Sequence, residues 1–304
     1  MASVVANCVL VLTGGVVRLT GSGLGCPTWP RCTDGSYVTT SAMGIHGAIE
    51  FGNRMLIFVL TAIAGIGLIV AFAQRRRAPR AFTASVLVVV MVVVQAVVGG
   101  ITVRMALNPW IVATHFLLSI VTLAFAFMFW NNAATRHQGS WSPPSAVRHL
   151  ARLLTAVSAL VLMFGTVVTG SGPHAGDTKA ARTGFNPQDV AQLHADAVFL
   201  LIGLSAALWF AMRAIGAPGP VSRAAAALVL VELGQGVIGF VQYFTHLPVA
   251  VVAAHLLGAS LVWVATLNTL AASSPRPALA TVSGPAQPSR KDHDQRDAVA
   301  EALR

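Results

Sequence analysis

Eight long apolar stretches dominate this sequence and restrict what it can fold into. A helix needs about 20 mostly apolar residues to cross the hydrocarbon core of a bilayer. Seven of the stretches contain no charged residue, and the eighth is interrupted only by Glu232. They are Met1–Val17, Met55–Gln74, Ala81–Val103, Met105–Thr135, Leu153–Pro173, Ala197–Met212, Ala224–Phe244 and Leu247–Ser273. Only 10% of the residues are charged, against about 25% in a soluble domain. The pattern predicts an all-α integral membrane protein with eight transmembrane helices.

The basic residues predict how the chain lies in the membrane. The loops after spans two, four and six and the C-terminal tail hold more Arg and Lys than the opposite loops. The positive-inside rule therefore places both termini in the cytoplasm of a cell (plasma) membrane. We interpret the net charge of +10 as loop charge that faces membrane lipid. The sequence has no basic arm interleaved with aromatic residues, so it does not predict nucleic-acid binding.

The two ends of the chain lie outside this regular pattern. Span one opens at Met1 without the basic residues that precede a signal peptide, and we expect a few upstream residues to be missing. The charged segment 274–304, rich in Pro, Ala and Ser, predicts a disordered cytoplasmic tail.

The chain repeats itself. The string Gly15-Val-Val-Arg-Leu-Thr-Gly-Ser-Gly23 is echoed by Gly165-Thr-Val-Val-Thr-Gly-Ser-Gly172. Gln95 precedes His115 by the same interval that separates Gln235 from His255, and the local sequences match. The repeat predicts two four-helix bundles, 1–135 and 149–273, related by an axis along the membrane normal.

Histidines inside the spans are the first candidates for function, because ionisable groups are costly in a membrane. His194 and His255 lie on alternate helices of the second bundle, whereas the first bundle offers His115 and, at the matching position, Asn53. Two histidines that face each other across a bundle are a usual way to hold haem. Zinc would require further ligands. The alternative is histidines that only bond to neighbouring backbone.

Other polar residues of the first half add to this candidate site. Glu50 lies one turn before Asn53, and His46 one turn earlier again. Glu50 is interpreted either as a base or as a carboxylate that caps the N-terminus of span two. Gln95 and Gln235 are interpreted as residues whose side chains form hydrogen bonds between helices.

The external loop 20–45 carries Cys26 and Cys32. An oxidising compartment and the short spacing favour a disulfide. The alternatives are two free thiols or half of a metal site.

These motifs together resemble the haem A synthase family, in its actinobacterial eight-span form. The resemblance rests on Gly-Gly-Val-Val-Arg-Leu-Thr-Gly-Ser-Gly-Leu-Gly-Cys-Pro-Thr-Trp-Pro-Arg-Cys, on Ile49-Glu-Phe-Gly-Asn-Arg54 and on His115. It covers all eight spans and excludes the tail. It implies an oxidoreductase that converts a methyl group of haem O to a formyl group. Haem O synthase would deliver the substrate, and haem-copper terminal oxidases would receive haem A.

The resemblance also implies roles for individual residues. His194 and His255 match the axial ligands of a haem b, and His115 matches an axial ligand of the substrate haem. Glu50 matches the essential carboxylate of a Glu-x-x-His motif. The loop cysteines match the family's external pair.

Asn53 departs from the family, because it stands where that motif has its histidine. The resemblance therefore leaves the second axial ligand of the substrate haem open, and His46 is the candidate to replace it. The electron acceptor, and whether the protein forms a homo-oligomer, are also left open.

Two other classes of protein fit the haem-binding features. One is a di-haem membrane electron carrier, and the other is a non-enzymatic haem-handling protein. Glu50 and the cysteine loop favour the enzyme, since neither alternative requires them.

Overall fold

Eight helices account for all eight predicted spans. The computed structural model describes residues 1–134 and 141–275. Its helices are α1 Ala2–Leu19, α2 Gly44–Ala73, α3 Pro79–Arg104, α4 Pro109–Ala133, α5 Ser145–Ser171, α6 Pro187–Ala214, α7 Gly219–Phe244 and α8 Val249–Ala272. All eight are long and apolar enough to cross a membrane, and these ranges contain no β-strand. The predicted all-α membrane class is confirmed.

Several helices extend beyond the apolar stretches that predicted them. α2, α5 and α6 begin 8–11 residues earlier than their stretches, because charged residues stop a run of apolar sequence without stopping a helix. Conversely, α4 begins later than its stretch. Ala106 and Leu107 have positive φ angles in a turn that ends at Asn108, whose side chain caps α4 by accepting from the Trp110 backbone N–H.

The helix contacts form two closed rings of four. α1, α2, α3 and α4 contact one another in sequence and α4 returns to α1, and α5 to α8 do the same. The rings meet through α1–α8, α4–α5 and α4–α8. Exchanging α1 with α5 and α4 with α8 turns the α1–α8 contact into the α4–α5 contact and leaves the α4–α8 contact unchanged. The two bundles are therefore related by a pseudo-two-fold axis. The two bundles are confirmed, and the limits 1–135 and 149–273 stay a prediction. The predicted tail lies, from residue 276 on, outside the described residues.

Arg18, near the end of α1, joins the two halves. Its Nε donates to the carbonyl oxygen of His174 at 2.6 Å, and its Nη2 donates to that of Thr169, near the end of α5, at 2.8 Å. The backbone N–H of Gly23 donates to the Gly176 carbonyl at 2.8 Å. α1 and α5 therefore end on the same side of the molecule.

The loop after α1 folds over this same side. Cys26 and Cys32 are paired in the structure, with 2.01 Å between their sulfur atoms. The Trp29 ring packs on Gly100 of α3, where a Cβ atom would overlap it, and Arg104 donates to the Trp29 carbonyl at 3.0 Å. We call this side of the molecule the disulfide end.

Candidate functional site

The three intramembrane histidines lie at similar depths below the disulfide end. His115 and His255 each follow the first residue of their helix by six positions, and His194 by seven. At 1.5 Å per residue, each lies about 9–10 Å inside its helix.

Each of the three imidazole rings packs on a glycine of the preceding helix. The Cε1 atom of each ring lies 3.3–3.4 Å from the point that a glycine Cβ would occupy. The pairs are His115 with Gly99, His194 with Gly165 and His255 with Gly239. A larger side chain at these glycines would push the ring away, so each glycine makes the room in which the ring sits.

His194 and His255 lie at similar depths on α6 and α8, which are opposite members of the second ring of helices. The Nδ1 atom of each is buried and has no hydrogen-bond partner. Burying an unpaired polar atom is costly, so the described side chains around the two rings do not by themselves satisfy them. The two rings and their glycine cradles fit a haem held by two axial histidines.

His115, in the first bundle, contacts a glutamine. One terminal atom of the Gln95 amide lies 2.9 Å from Nδ1 of His115, and the other lies 2.6 Å from Oγ of Ser119. In the orientation that satisfies both ends of the amide, its oxygen accepts from the backbone N–H and the hydroxyl of Ser119, and its nitrogen donates to Nδ1 and to the carbonyl oxygen of His115. The matched Gln235 likewise donates from Nε2 to the His255 carbonyl, at 2.7 Å. Both glutamines bond between helices.

Asn53 differs from the three intramembrane histidines in its surroundings as well as in its chemistry. It lies in the third turn of α2, half-buried, and its Oδ1 has no hydrogen-bond partner. Aligning the two Thr-Gly-Ser-Gly segments matches Gly165 with Val16. The first bundle therefore lacks both the fourth imidazole and the glycine that accompanies the other three.

His46 lies in the first turn of α2, because that helix begins at Gly44. Its ring is exposed, and Nδ1 is 3.0 Å from Oγ of Ser22. It precedes Asn53 by seven residues, which is about 10 Å along a helix. The structure does not bring His46 level with Asn53.

Glu50 is a buried carboxylate with both oxygens bonded. It is 5% exposed, and its Oε2 accepts from the Cys26 backbone N–H at 2.6 Å. Its Oε1 accepts from Nη2 and Nε of Arg54 at 2.5 and 3.1 Å. The alternative that Glu50 caps α2 is wrong, because the helix begins six residues earlier and Glu50 lies in its second turn.

Arg54 is the residue of this site that the sequence analysis missed. Besides its ion pair with Glu50, it donates to the carbonyl oxygens of Cys26, Thr28 and Arg31 at 3.0–3.3 Å. The pair thus fastens the disulfide loop to α2. A basic residue four positions after an acidic one on a helix signals such a pair, and that spacing was readable in the sequence.

The comparisons with known proteins agree with this architecture. A family model described as COX15-CtaA, cytochrome oxidase assembly protein, matches residues 1–267, which takes in seven helices and most of α8. The chain belongs to this cytochrome oxidase assembly family. Both bundles are therefore part of the family's own structure.

Individual relatives match over shorter segments. The chain is 28% identical over 123 residues to a heme A synthase of Listeria welshimeri, covering 40% of each chain. It is 26% identical over 144 residues to one of Geobacillus kaustophilus, covering 47% of this chain and 43% of the relative. A heme A synthase of Alkalihalophilus pseudofirmus is 32% identical over 117 residues, covering 38% of this chain and 39% of the relative. The chain thus matches about two fifths of the length of these relatives.

We expect Cys26 and Cys32 to resist alkylation in isolated membranes until a reductant is added. The reason is that a disulfide sulfur presents no thiolate to the reagent. The measurement is the mass added by a maleimide before and after reduction. As a control, Cys26→Ser leaves Cys32 unpaired and open to labelling. Labelling of both cysteines in untreated membranes would contradict the pairing.

Proposed function

We propose that this protein is a haem A synthase, which oxidises a methyl group of haem O to the formyl group of haem A. The observation that carries the proposal is the family match across both bundles, supported by relatives that bear the name heme A synthase. Haem O synthase supplies the substrate and haem-copper terminal oxidases take the product.

The second bundle is the resident cofactor site in this proposal. His194 and His255 would hold the iron of a haem b, since they lie at similar depths on opposite helices of the bundle and each packs on a glycine. Bound there, haem b supplies a one-electron carrier, which no amino-acid side chain provides. Gly165 and Gly239 keep the two rings in place.

The first bundle binds the substrate. His115 holds the iron of haem O on one side, with Gln95 orienting the imidazole and Gly99 making room for it. Asn53 stands where the family's motif has a histidine. An amide oxygen is a weak ligand for haem iron, so His115 would be the one strong protein ligand of the bound haem O.

Glu50 is the proposed base. Adding one water to a methyl group to give an alcohol releases two electrons and two protons, and oxidising that alcohol to a formyl group releases the same again. A buried carboxylate at the disulfide end is positioned to accept a proton and to orient the water. Arg54 holds Glu50 in place, and Trp29 closes the disulfide loop over the same end.

The proposed setting is the plasma membrane with both termini in the cytoplasm. The Arg-rich loops support this orientation. It places the disulfide end outside, where an oxidising compartment keeps Cys26 and Cys32 paired.

The proposal is tested by extracting haems from membranes of a host that makes haem O, with and without this gene. Chromatography of the extract should reveal haem A only when the gene is present. The matched control is the His115→Ala variant, which should leave haem O unconverted. Haem b with no conversion of haem O would identify a di-haem electron carrier instead. Binding of haem O without conversion would identify a haem-handling protein.

Replacing His194 or His255 with Ala should remove the low-spin b-type spectrum of the purified protein. Each substitution deletes one of two axial ligands, and the iron loses its six-coordinate state. The measurement is the reduced-minus-oxidised absorption spectrum. His149→Ala, on an exposed ring, is the control and should leave the spectrum unchanged. A normal spectrum in both ligand variants would reject the assignment.

Asn53→His should convert bound haem O from a high-spin to a low-spin species. The wild-type iron has His115 alone, whereas the variant supplies a second imidazole from α2. Electron paramagnetic resonance of the ferric protein reads the spin state. If the wild type is already low-spin, another ligand is present, and loss of that signal in His46→Ala would assign it to His46.

Glu50→Gln should lower turnover about 100- to 10,000-fold, the usual effect of losing a positioned acid–base group, while haem O still binds. Gln keeps the size of the side chain and loses the proton acceptor. The matched variant is Arg54→Leu, which removes the loop contacts and keeps the carboxylate. If Glu50 acts only by holding the loop, the two variants will lose the same activity.

A further inference from the structure

The middle of the second bundle carries a polar pair that the first bundle lacks. Glu232, in the middle of α7, is 3% exposed, and its Oε1 accepts a 2.8 Å hydrogen bond from Oγ of Ser205 on α6. The internal repeat matches these two positions with Val92 and Ala64, both of which lie in a buried apolar cluster. A carboxyl and a hydroxyl thus stand where the counterpart bundle has only methyl groups.

Glu232 is the innermost member of a polar face on α7. Glu232, Gln235, Gly239 and Gln242 are spaced three, four and three residues apart, which places them on one face of the helix. That face is turned inward, because Gln235 donates to the His255 carbonyl and Gly239 lies against the His255 ring. We call it the α7 polar face.

Three oxygens of the α7 polar face have no donor. Oε2 of Glu232, Oε1 of Gln235 and Oε1 of Gln242 are all buried without a hydrogen-bond partner. The matching face of α3, a helix described from end to end, has no side-chain atom in this condition. Unpaired acceptors inside a membrane protein require a donor. A buried water molecule donates twice and links neighbouring acceptors, and linked waters carry protons.

Among the residues that the structure describes, no cation forms an ion pair with Glu232. The helices that pack against α7 are α6 and α8. On α6, Asp189, Asp196 and Arg213 are exposed, and the titratable groups that remain on α6 and α8 are His194 and His255. Elsewhere in the bundle, Arg148 of α5 and Arg223 of α7 lie near the helix ends that are remote from the disulfide end. An ionised carboxylate in this position is therefore costly, unless positive charge is placed near it.

We propose that Glu232 is a proton-binding site in the membrane interior, supplied from the disulfide end by water held along the α7 polar face. Its role rests on the proposed function of the second bundle. Ferric haem carries one net positive charge on its iron and porphyrin core, and ferrous haem carries none. With haem b held by His194 and His255, the carboxylate would balance the ferric charge, and each electron received from the oxidised substrate would be accompanied by one proton that binds to Glu232.

The proton site is tested by infrared spectroscopy of the full-length protein in nanodiscs. Haem-free protein should display the carbonyl stretch of a buried carboxylic acid, which Glu232→Gln removes and Glu50→Gln retains. In D₂O this band shifts as the acid proton exchanges for deuterium. Gln242→Leu should slow that exchange at least several-fold, whereas Thr102→Val, at the matching position of α3, should not. A band that is absent from the wild type, or that persists in Glu232→Gln, overturns the site.

The coupling to the haem is tested by redox titration at several pH values. The wild-type midpoint potential should fall as pH rises, because reduction takes up a proton, and in Glu232→Gln it should become independent of pH. The acid band should weaken in the ferric form and return on reduction. A pH-independent wild-type potential overturns the coupling. Failure of His194 and His255 to bind haem would reject the proposed function instead, and the haem-free band would still decide the proton site.

Discussion

Every polar group that this chain places inside its apolar helices must find a partner within the protein, because the hydrocarbon core of a membrane offers none. The backbone meets this constraint by forming helices. The side chains meet it in different ways at different depths. Glu50 and Arg54 satisfy each other and the loop above them, whereas His194 and His255 keep a ring nitrogen unpaired. Where the constraint is left unmet, a ligand or a buried water would have to meet it.

Glycine is the residue that makes those sites possible. A histidine ring fits between two packed helices only if the facing residue has no side chain, and three histidines of this chain have such a neighbour. The repeat places the three pairs at similar depths, so the two bundles carry matching histidine–glycine pairs. The bundles differ where Asn53 and Val16 replace a histidine and its glycine. The second bundle therefore has two such pairs, whereas the first has one.

The sequence was sufficient to predict the helices, the repeat and the position of three histidines inside the helices. Apolar length, internal spacing and polar residues within apolar stretches are local signals. It was insufficient for helix ends, since Glu50 and Arg54 interrupt an apolar stretch but lie inside α2. The role of Arg54 depends on three carbonyl oxygens from a loop more than twenty residues away. The contact of Trp29 with Gly100 likewise joins segments that no periodicity connects. Contacts between a loop and a helix arise from tertiary folding and leave no pattern along the chain.

The contacts among α1, α4, α5 and α8 have the form of a symmetric dimer interface, in which each half offers the same surface to the other. In a dimer of two identical chains, any substitution appears in both binding sites at once. Such a dimer cannot replace a residue in one of its two sites and retain it in the other. Joining the halves into one chain removes this restriction and lets each site vary independently. The asymmetry between Asn53 and His194 is one that a fused chain allows and a dimer of identical chains does not.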